Sequence, residues 1–276
     1  MDNLILLNAS VLGGCGLLAA LILYFVSKKF MVETDETTVK IVDILPQANC
    51  GGCGKAGCAD FAQACAKADS DNFANLYCPV GGHEVMQKIA AIKGFETIQK
   101  APTTAVLLCQ GSCQNAPSKV VYDAVSSCRI ANRISSGQSG CPDGCLRLGD
   151  CIKSCKFGAL SLDEETGLPA IDSSKCVSCG ACAKVCPRGL FEIRPQSPNG
   201  AMVYVACRNK QKGASARKNC KAACIGCMKC NKINEQIKIE NNLSYIPADI
   251  DADKYGAELA QNCPTGAIVY KENVRG

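Results

Sequence analysis

Residues 4–26, LILLNASVLGGCGLLAALILYFV, run 23 positions without a charge and stop at Ser27-Lys28-Lys29. A helix of that length spans a hydrocarbon layer of ~30 Å. Asp2 stands before the run and Lys28 and Lys29 after it, the reverse of a cleavable signal peptide. The pattern predicts an uncleaved, single-pass anchor in the cytoplasmic (inner) membrane, with its amino terminus outside and everything from Lys28 onward on the cytoplasmic side. Ala9, Gly13, Gly16 and Ala20 recur at helical spacing and form a small-residue face against which another membrane helix packs closely. Beyond the anchor the periodic stretches are short. Ala59–Ala66 reads as a helix, and residues 79–100, with Val85, Ile89 and Ile92 on one face, as a second that runs into a linker near Ala101-Pro102-Thr103. Ala105-Val106-Leu107-Leu108 predicts a strand. Ala159–Leu162 and Leu168–Ile171 flank Asp163-Glu164-Glu165-Thr166-Gly167 as a hairpin would.

Composition changes this picture. The 276 residues include 23 Cys but one His, no Trp, 7 Phe and 7 Tyr, so a core poor in large side chains is held together by something else. The lone His83 excludes Cys₂His₂ zinc arrays, and the absence of C-x-x-C-H excludes c-type haem attachment. His83 itself reads as an ordinary solvated or hydrogen-bonded side chain. A long chain with an odd Cys count on the reducing side of a membrane is a poor disulfide scaffold. The thiols are there to bind.

Three spacings carry that argument: Cys50-x₂-Cys53-x₄-Cys58-x₁₉-Cys78-Pro79, Cys176-x₂-Cys179-x₂-Cys182-x₃-Cys186-Pro187, and Cys224-x₂-Cys227-x₂-Cys230 with a distant Cys263-Pro264. A cubane cluster needs three thiolates converging from one tight, glycine-permissive loop and a fourth from elsewhere, and the second spacing is the bacterial ferredoxin run. Zinc more often takes two C-x₂-C knuckles. Gly52-Cys53-Gly54-Lys55-Ala56-Gly57 satisfies G-x-G-x-x-G, but no good strand precedes it and a cysteine interrupts it. Neither a nucleotide nor a flavin site is expected, and no nucleophile–base motif supplies a catalytic residue.

The second half repeats itself. Cys128-x₁₂-Cys141-x₃-Cys145-x₅-Cys151-x₃-Cys155 matches Cys207-x₁₂-Cys220-x₃-Cys224-x₅-Cys230-x₃-Asn234, and each copy ends in Cys-Pro followed by strand-like residues, Gly189–Ile193 and Gly266–Tyr270. In two-cluster ferredoxins the fourth Cys of each run serves the other cluster. On that rule Cys155, Cys176, Cys179 and Cys182 are one complete site and Cys224, Cys227, Cys230 and Cys263 another. The second copy has Asn234, Asp253, Gly256 and Leu259 in place of the first of these. Cys145, Cys151 and Cys186 lack a partner because Leu148 stands where Cys227 does, and Cys207 or Cys220 is the candidate fourth ligand. Cys109, Cys113, Cys128 and Cys141 remain as a contiguous group for a further cluster. Three [4Fe–4S] clusters, and up to five, are expected.

From Ile193 to Asn234 nine basic residues occur (Arg194, Arg208, Lys210, Lys212, Arg217, Lys218, Lys221, Lys229, Lys232) and no acid. Interleaved aromatics for base stacking are absent apart from Tyr204, so no nucleic acid partner is expected. The stretch is either a docking face for an acidic protein such as a soluble ferredoxin or compensation for cluster charge. The formal +5 falls to about −1 with three oxidised cubanes and about −5 with five, at about −2 each with their thiolates.

An anchor, then CGGCGKAGC with a downstream Cys-Pro, then GCLRLGDCIKSCKFGAL and CVSCGACAKVCP, resembles the B subunit of Rnf complexes over essentially the whole chain. These are membrane-bound, ion-translocating ferredoxin:NAD⁺ oxidoreductases. The resemblance implies an electron-transport subunit of a redox-driven ion translocase that takes electrons from reduced ferredoxin and relays them towards other membrane and cytoplasmic subunits. It also implies that Cys50, Cys53, Cys58 and Cys78 hold the membrane-proximal cluster. The competing readings are a polyferredoxin subunit of another membrane oxidoreductase and a zinc-binding structural or redox-sensing protein. The expected fold is α+β: an N-terminal transmembrane helix (1–30), a small helical [4Fe–4S] domain (31–100), a ferredoxin-like domain with two or more clusters (101–200) and a degenerate ferredoxin-like repeat with one complete cluster (201–276).

Overall fold

The structure, a computed structural model, describes residues 2–29, 35–97, 101–134 and 137–272, with the side chains of 2–10 outside the description. Helix α1 (Asp2–Lys29) is continuous. Its stretch Val11–Lys29 is long and apolar enough to cross a membrane, and none of it is buried against the rest of the protein. Space around Gly13 and Gly16 is open; the side chain of Ala9, on the same expected face, is among those not described.

Four helices follow: α2 (Glu36–Ile44), α3 (Cys58–Lys67), α4 (Ser70–Ala74) and α5 (Gly82–Lys93). Asp35 caps α2 by accepting from the Thr37 N–H, and Asp69 caps α4 through the Asn72 N–H, each satisfying an end donor that the helix leaves open. Gly94 ends α5 in the left-handed conformation. Ile41, Phe61, Cys65, Phe73, Met86 and Ile89 close the core of this unit. On α5 the buried line is Met86, Ile89 and Ala90, while Ile92 is 37% exposed. The expected Val85–Ile89–Ile92 face holds at Ile89 and at Val85, which packs against the core, while Met86 and not Ile92 reaches the core of Phe61 and Phe73.

The remainder alternates short elements: β1 (Thr103–Leu107), α6 (Cys128–Ile134), α7 (Asp150–Lys153), β2 (Leu160–Leu162), β3 (Pro169–Ile171), α8 (Ala181–Val185), β4 (Phe191–Pro195), β5 (Met202–Val205), α9 (Gly213–Asn219), α10 (Lys229–Ile233), β6 (Lys238–Glu240), β7 (Leu243–Tyr245), α11 (Ala252–Gln261) and β8 (Ile268–Lys271). The strands form antiparallel pairs, β1 with β4, β2 with β3, β5 with β8 and β6 with β7. The expected hairpin is β2–β3. The pairs β1–β4 and β5–β8 are built alike. Leu107 faces Phe191 and the Leu108 N–H donates to the Leu190 carbonyl (2.7 Å), just as Val205 faces Ile268 and the Ala206 N–H donates to Ala267 (2.7 Å). Val106 and Leu108 pack with Met202, Tyr204 and Ala206 between the two pairs.

Where the first half has the loop Cys176–Cys182, the second has α11. Leu259 on that helix is fully buried with Ile237 and Ile246, and the Tyr270 ring lies directly on the backbone of Gly256. Arg194 is buried as well. It donates to the carbonyls of Val203 (3.2 Å) and Ile246 (2.8 Å), pairs with Glu192 (3.3 Å), and so leaves the exposed basic stretch.

Candidate metal centres

In the helical unit, Cys50, Cys53, Cys58 and Cys78 line one small cavity with Leu45, Pro46 and Phe61. The loop turns around it through residues with positive φ, Asn49 (44°), Gly51 (67°) and Gly54 (80°). Asn49 Oδ1 closes the loop by accepting the Cys58 N–H at 2.8 Å. The Gly52 N–H points to Cys50 Sγ (3.5 Å) and the Gly81 N–H to Cys78 Sγ (3.4 Å).

In the second group Cys155, Cys176 and Cys182 pack on the core of β1 and β4, and Cys179 stands beside them. Burial pushes the Cys182 thiol up to about 11. Burial also raises Cys179, and Cys50, Cys155 and Cys176 stand near enough to raise it further. Cys50 belongs to the first group, so the two groups adjoin. The missing Cβ of Gly52 would fall 2.9 Å from Cys179 Cα and 2.8 Å from Pro79 Cγ, and Lys184 Nζ donates to the Gly51 carbonyl across the contact (3.1 Å).

The third group differs from expectation. Cys128, Cys145, Cys151 and Cys186 line one cavity. The Asp150 carboxylate accepts from the Ser127 hydroxyl and the Arg129 N–H, both at 3.1 Å, and so ties the start of α6 beside Cys151. Neither Cys207 nor Cys220 completes this group. Arg147 N–H and Leu190 N–H donate to Cys145 Sγ and Cys186 Sγ, each at 3.4 Å, and burial raises Cys145 and Cys151 to about 12.

The fourth group, Cys224, Cys227, Cys230 and Cys263, lines a cavity floored by Leu259. Cys227 is exposed, and Cys230 Sγ lies 3.1 Å from Ser244 Oγ. The expected set Cys109, Cys113, Cys128 and Cys141 is not assembled. Cys128 belongs to the third group, and Cys113 is exposed against Gly167, where its N–H bonds the Thr166 carbonyl. Cys109 and Cys141 are buried with Cys207 and Cys220 instead. Cys65 is a packing residue of the helical core, its thiol pushed up to about 12 by burial.

Zinc–thiolate bonds of about 2.3 Å would draw four sulfurs to within about 4 Å of one another. Among the described residues no three Cys, His, Asp or Glu side chains are grouped to hold a single ion. The thiols are spread around cavities with backbone N–H groups aimed at sulfur, which is what a multi-iron cluster with bridging sulfides requires of its protein.

Two arginines escaped the spacing argument. Arg147 Nη2 donates to the carbonyls of Gly111, Ser112 and Ala116 at 2.7, 2.8 and 2.7 Å. Arg188 donates to Gly144 (2.5 Å) and Cys141 (3.3 Å) carbonyls and to Asn132 Oδ1 (3.0 Å). Burial lowers the Arg188 pKa, and Cys141, Asp143, Cys145 and Cys109 act in the opposite sense. The only sequence signal for either was a basic residue inside a cysteine loop. His83 sits half-buried on α5, its Nδ1 without a hydrogen-bond partner among the described residues.

Two family models match parts of the chain. A 4Fe-4S dicluster domain matches residues 140–190, and a putative Fe-S cluster domain matches residues 45–71. The chain is 37% identical over 270 residues to the B subunit of the Na⁺-translocating ferredoxin:NAD⁺ oxidoreductase complex of Acetobacterium woodii, covering 97% of this chain and 78% of that protein. It is equally 37% identical to the B subunit of the ion-translocating oxidoreductase complex of Methanosarcina acetivorans, covering 97% of this chain and 99% of the relative. The B subunit of the proton-translocating ferredoxin:NAD⁺ oxidoreductase complex of Clostridium ljungdahlii is 37% identical, with 96% and 92% covered.

Proposed function

The chain belongs to the B subunits of ion-translocating oxidoreductase (Rnf) complexes, and from that membership we propose that it takes electrons from reduced ferredoxin and relays them inward along a row of cysteine-held clusters. It is a redox subunit of a membrane complex and carries iron–sulfur clusters. Four [4Fe–4S] sites are proposed: Cys50, Cys53, Cys58 and Cys78; Cys155, Cys176, Cys179 and Cys182; Cys128, Cys145, Cys151 and Cys186; and Cys224, Cys227, Cys230 and Cys263. When bound, such clusters supply reversible one-electron chemistry at potentials tuned by hydrogen bonds to sulfur and by burial. The observation that carries the reading is the convergence of each cysteine set on one place, with the first two sets in contact at Gly52 and Cys179.

The protein's own groups do the rest. Glycine and asparagine at positive φ let the Cys50 loop turn tightly, and N–H donors aimed at sulfur favour the negatively charged thiolates. Electron entry is proposed at the exposed Cys227. Lys229 is two residues away, and Gly213, beside Lys212, packs on Ile225 of the same loop. Asn242 donates to the Lys210 carbonyl (3.1 Å) and lies against Gly226, which places Lys210 there too. Arg208, Arg217, Lys218, Lys221 and Lys232, in the same stretch of chain, are also exposed, and their charge suits an acidic donor. The chain from Lys28 onward is assigned to the cytoplasmic side, where Lys28 and Lys29 end the apolar helix.

The experiment is anaerobic mixing of the full-length chain, in detergent, with a reduced ferredoxin. Rapid bleaching of visible absorption, slowing as salt rises, is the expected outcome. A colourless chain containing zinc, or clusters that ferredoxin leaves oxidised at every ionic strength, would reject the reading.

A further inference from the structure

We propose that Cys109, Cys141, Cys207 and Cys220 hold a fifth iron–sulfur cluster, built half from each strand-pair unit and standing between the Cys145 and Cys224 centres. The inference rests on the cluster-binding reading above and extends it to four cysteines whose spacing matches no standard run.

Pseudo-symmetry carries it. The bonds Leu108 N–H to Leu190 and Ala206 N–H to Ala267 make residues 108 and 206 equivalent, so Cys109 corresponds to Cys207. That pairing replaces the match of Cys128 with Cys207 suggested by cysteine spacing. Cys141 and Cys220 correspond as well, each lying four residues before a ligand of the neighbouring centre, Cys145 and Cys224. The sulfur environments repeat too. Cys109 Sγ accepts from the Gly111 N–H (3.4 Å) and the Cys145 N–H (3.4 Å). Cys207 Sγ accepts from the Asn209 N–H and from the Cys224 N–H, the latter at 3.3 Å. Two equivalent cysteines thus receive N–H groups from equivalent positions, and in each case one donor is the backbone of a cysteine in an adjoining centre.

The four thiols face one another across the pseudo-dyad. Gly111 brings its backbone between Cys109 and Cys220, and a Cβ there would meet their Sγ atoms at 3.3 and 3.8 Å. Cys141 neighbours Cys109, Cys207 and Cys220, and its Sγ accepts from the buried Asn209 Nδ2 at 3.5 Å. Arg147 and Arg188 bracket the group with buried or half-buried cationic charge and hold its loops by their carbonyls. Simple packing thiols need neither feature. Cys65, which is buried completely, is governed by burial and neighbouring charges, with no N–H donor to its sulfur among the described residues.

The test is iron and acid-labile sulfide per chain in anaerobically purified full-length protein, together with native mass spectrometry of the same sample. About 20 iron atoms per wild-type chain are expected, falling to about 16 in Cys109→Ser/Cys220→Ser and in Cys141→Ser, with one reduced-state EPR component lost and the others kept. Native mass spectrometry reads the cluster number without any variant, so a misfolded mutant does not decide the matter. About 16 iron atoms in fully loaded wild type, or variants with an unchanged count, overturn the fifth site alone. A chain free of iron overturns the cluster reading beneath it.

Discussion

Gly52 sets how near the first two centres come. A methyl group at that position would fall 2.9 Å from Cys179 Cα and 3.0 Å from its carbonyl oxygen, and backbone does not swing aside as a flexible side chain does. Gly52→Ala is expected to keep both clusters, to cost about 1–3 kcal/mol through overpacking, and to weaken the magnetic coupling between them, read as narrower EPR lines in the fully reduced protein. Unchanged coupling would remove Gly52 from this role. At the same scale Cys113 and Cys128 separate two assignments. Cys128→Ser is expected to lower iron by up to about four atoms per chain, and Cys113→Ser, exposed and away from every group, to leave the count unchanged. The expected sets were read from loop spacing, with the fourth cysteine taken from a downstream Cys-Pro for Cys78 and Cys263 and from the internal repeat for Cys155. Cys128 reaches its group through the hydrogen bonds of Asp150, far along the chain, and no spacing rule encodes a tether of that kind.

Among the elements, α11 stands where the proposed repeat would place a cysteine loop: Asp253, Gly256 and Leu259 align with Cys176, Cys179 and Cys182, and Leu259 and the Tyr270 ring pack there as apolar core. Leu259→Ala is expected to destabilise this unit by about 2–5 kcal/mol, the range for a fully buried leucine. Because Leu259 also floors the Cys224 cavity, chemical denaturation should release that cluster at lower denaturant than in wild type while the Cys50 cluster persists. Equal release of both would show that the second unit does not depend on this core. The β2–β3 hairpin and the strand after each Cys-Pro were readable from short apolar runs bounded by turns. The face of α5 was readable only in part: Val85 and Ile89 meet the core as expected, but Met86 and Ala90 complete it in place of Ile92, and the helical period alone fits either set.

For the whole molecule, charge is distributed against its own sum. The apo chain carries +5, and five oxidised cubanes with their thiolates would bring it to about −5. The exposed lysines and arginines between Arg208 and Lys232 would then be a local cationic stretch on an anionic protein. Changing Lys210, Lys212, Arg217 and Lys218 to Glu is expected to slow electron uptake from ferredoxin at least tenfold at low salt and to flatten its salt dependence, leaving iron content unaltered. Stopped-flow mixing at two ionic strengths checks this, and unaltered kinetics would reduce the patch to charge compensation. Arg194, counted with these residues on sequence grounds, takes no part, because its guanidinium is spent on the Val203 and Ile246 carbonyls.

The pairing of Cys109 and Cys141 with Cys207 and Cys220 also bears on how the protein is made. A nascent chain that has emerged as far as residue 200 presents only half of that ligand set, with two thiols facing a partner not yet synthesised. Filling the proposed fifth site would wait for residue 220, so iron delivery there would come late, and a chain truncated between the halves would be left with two thiols open to oxidation.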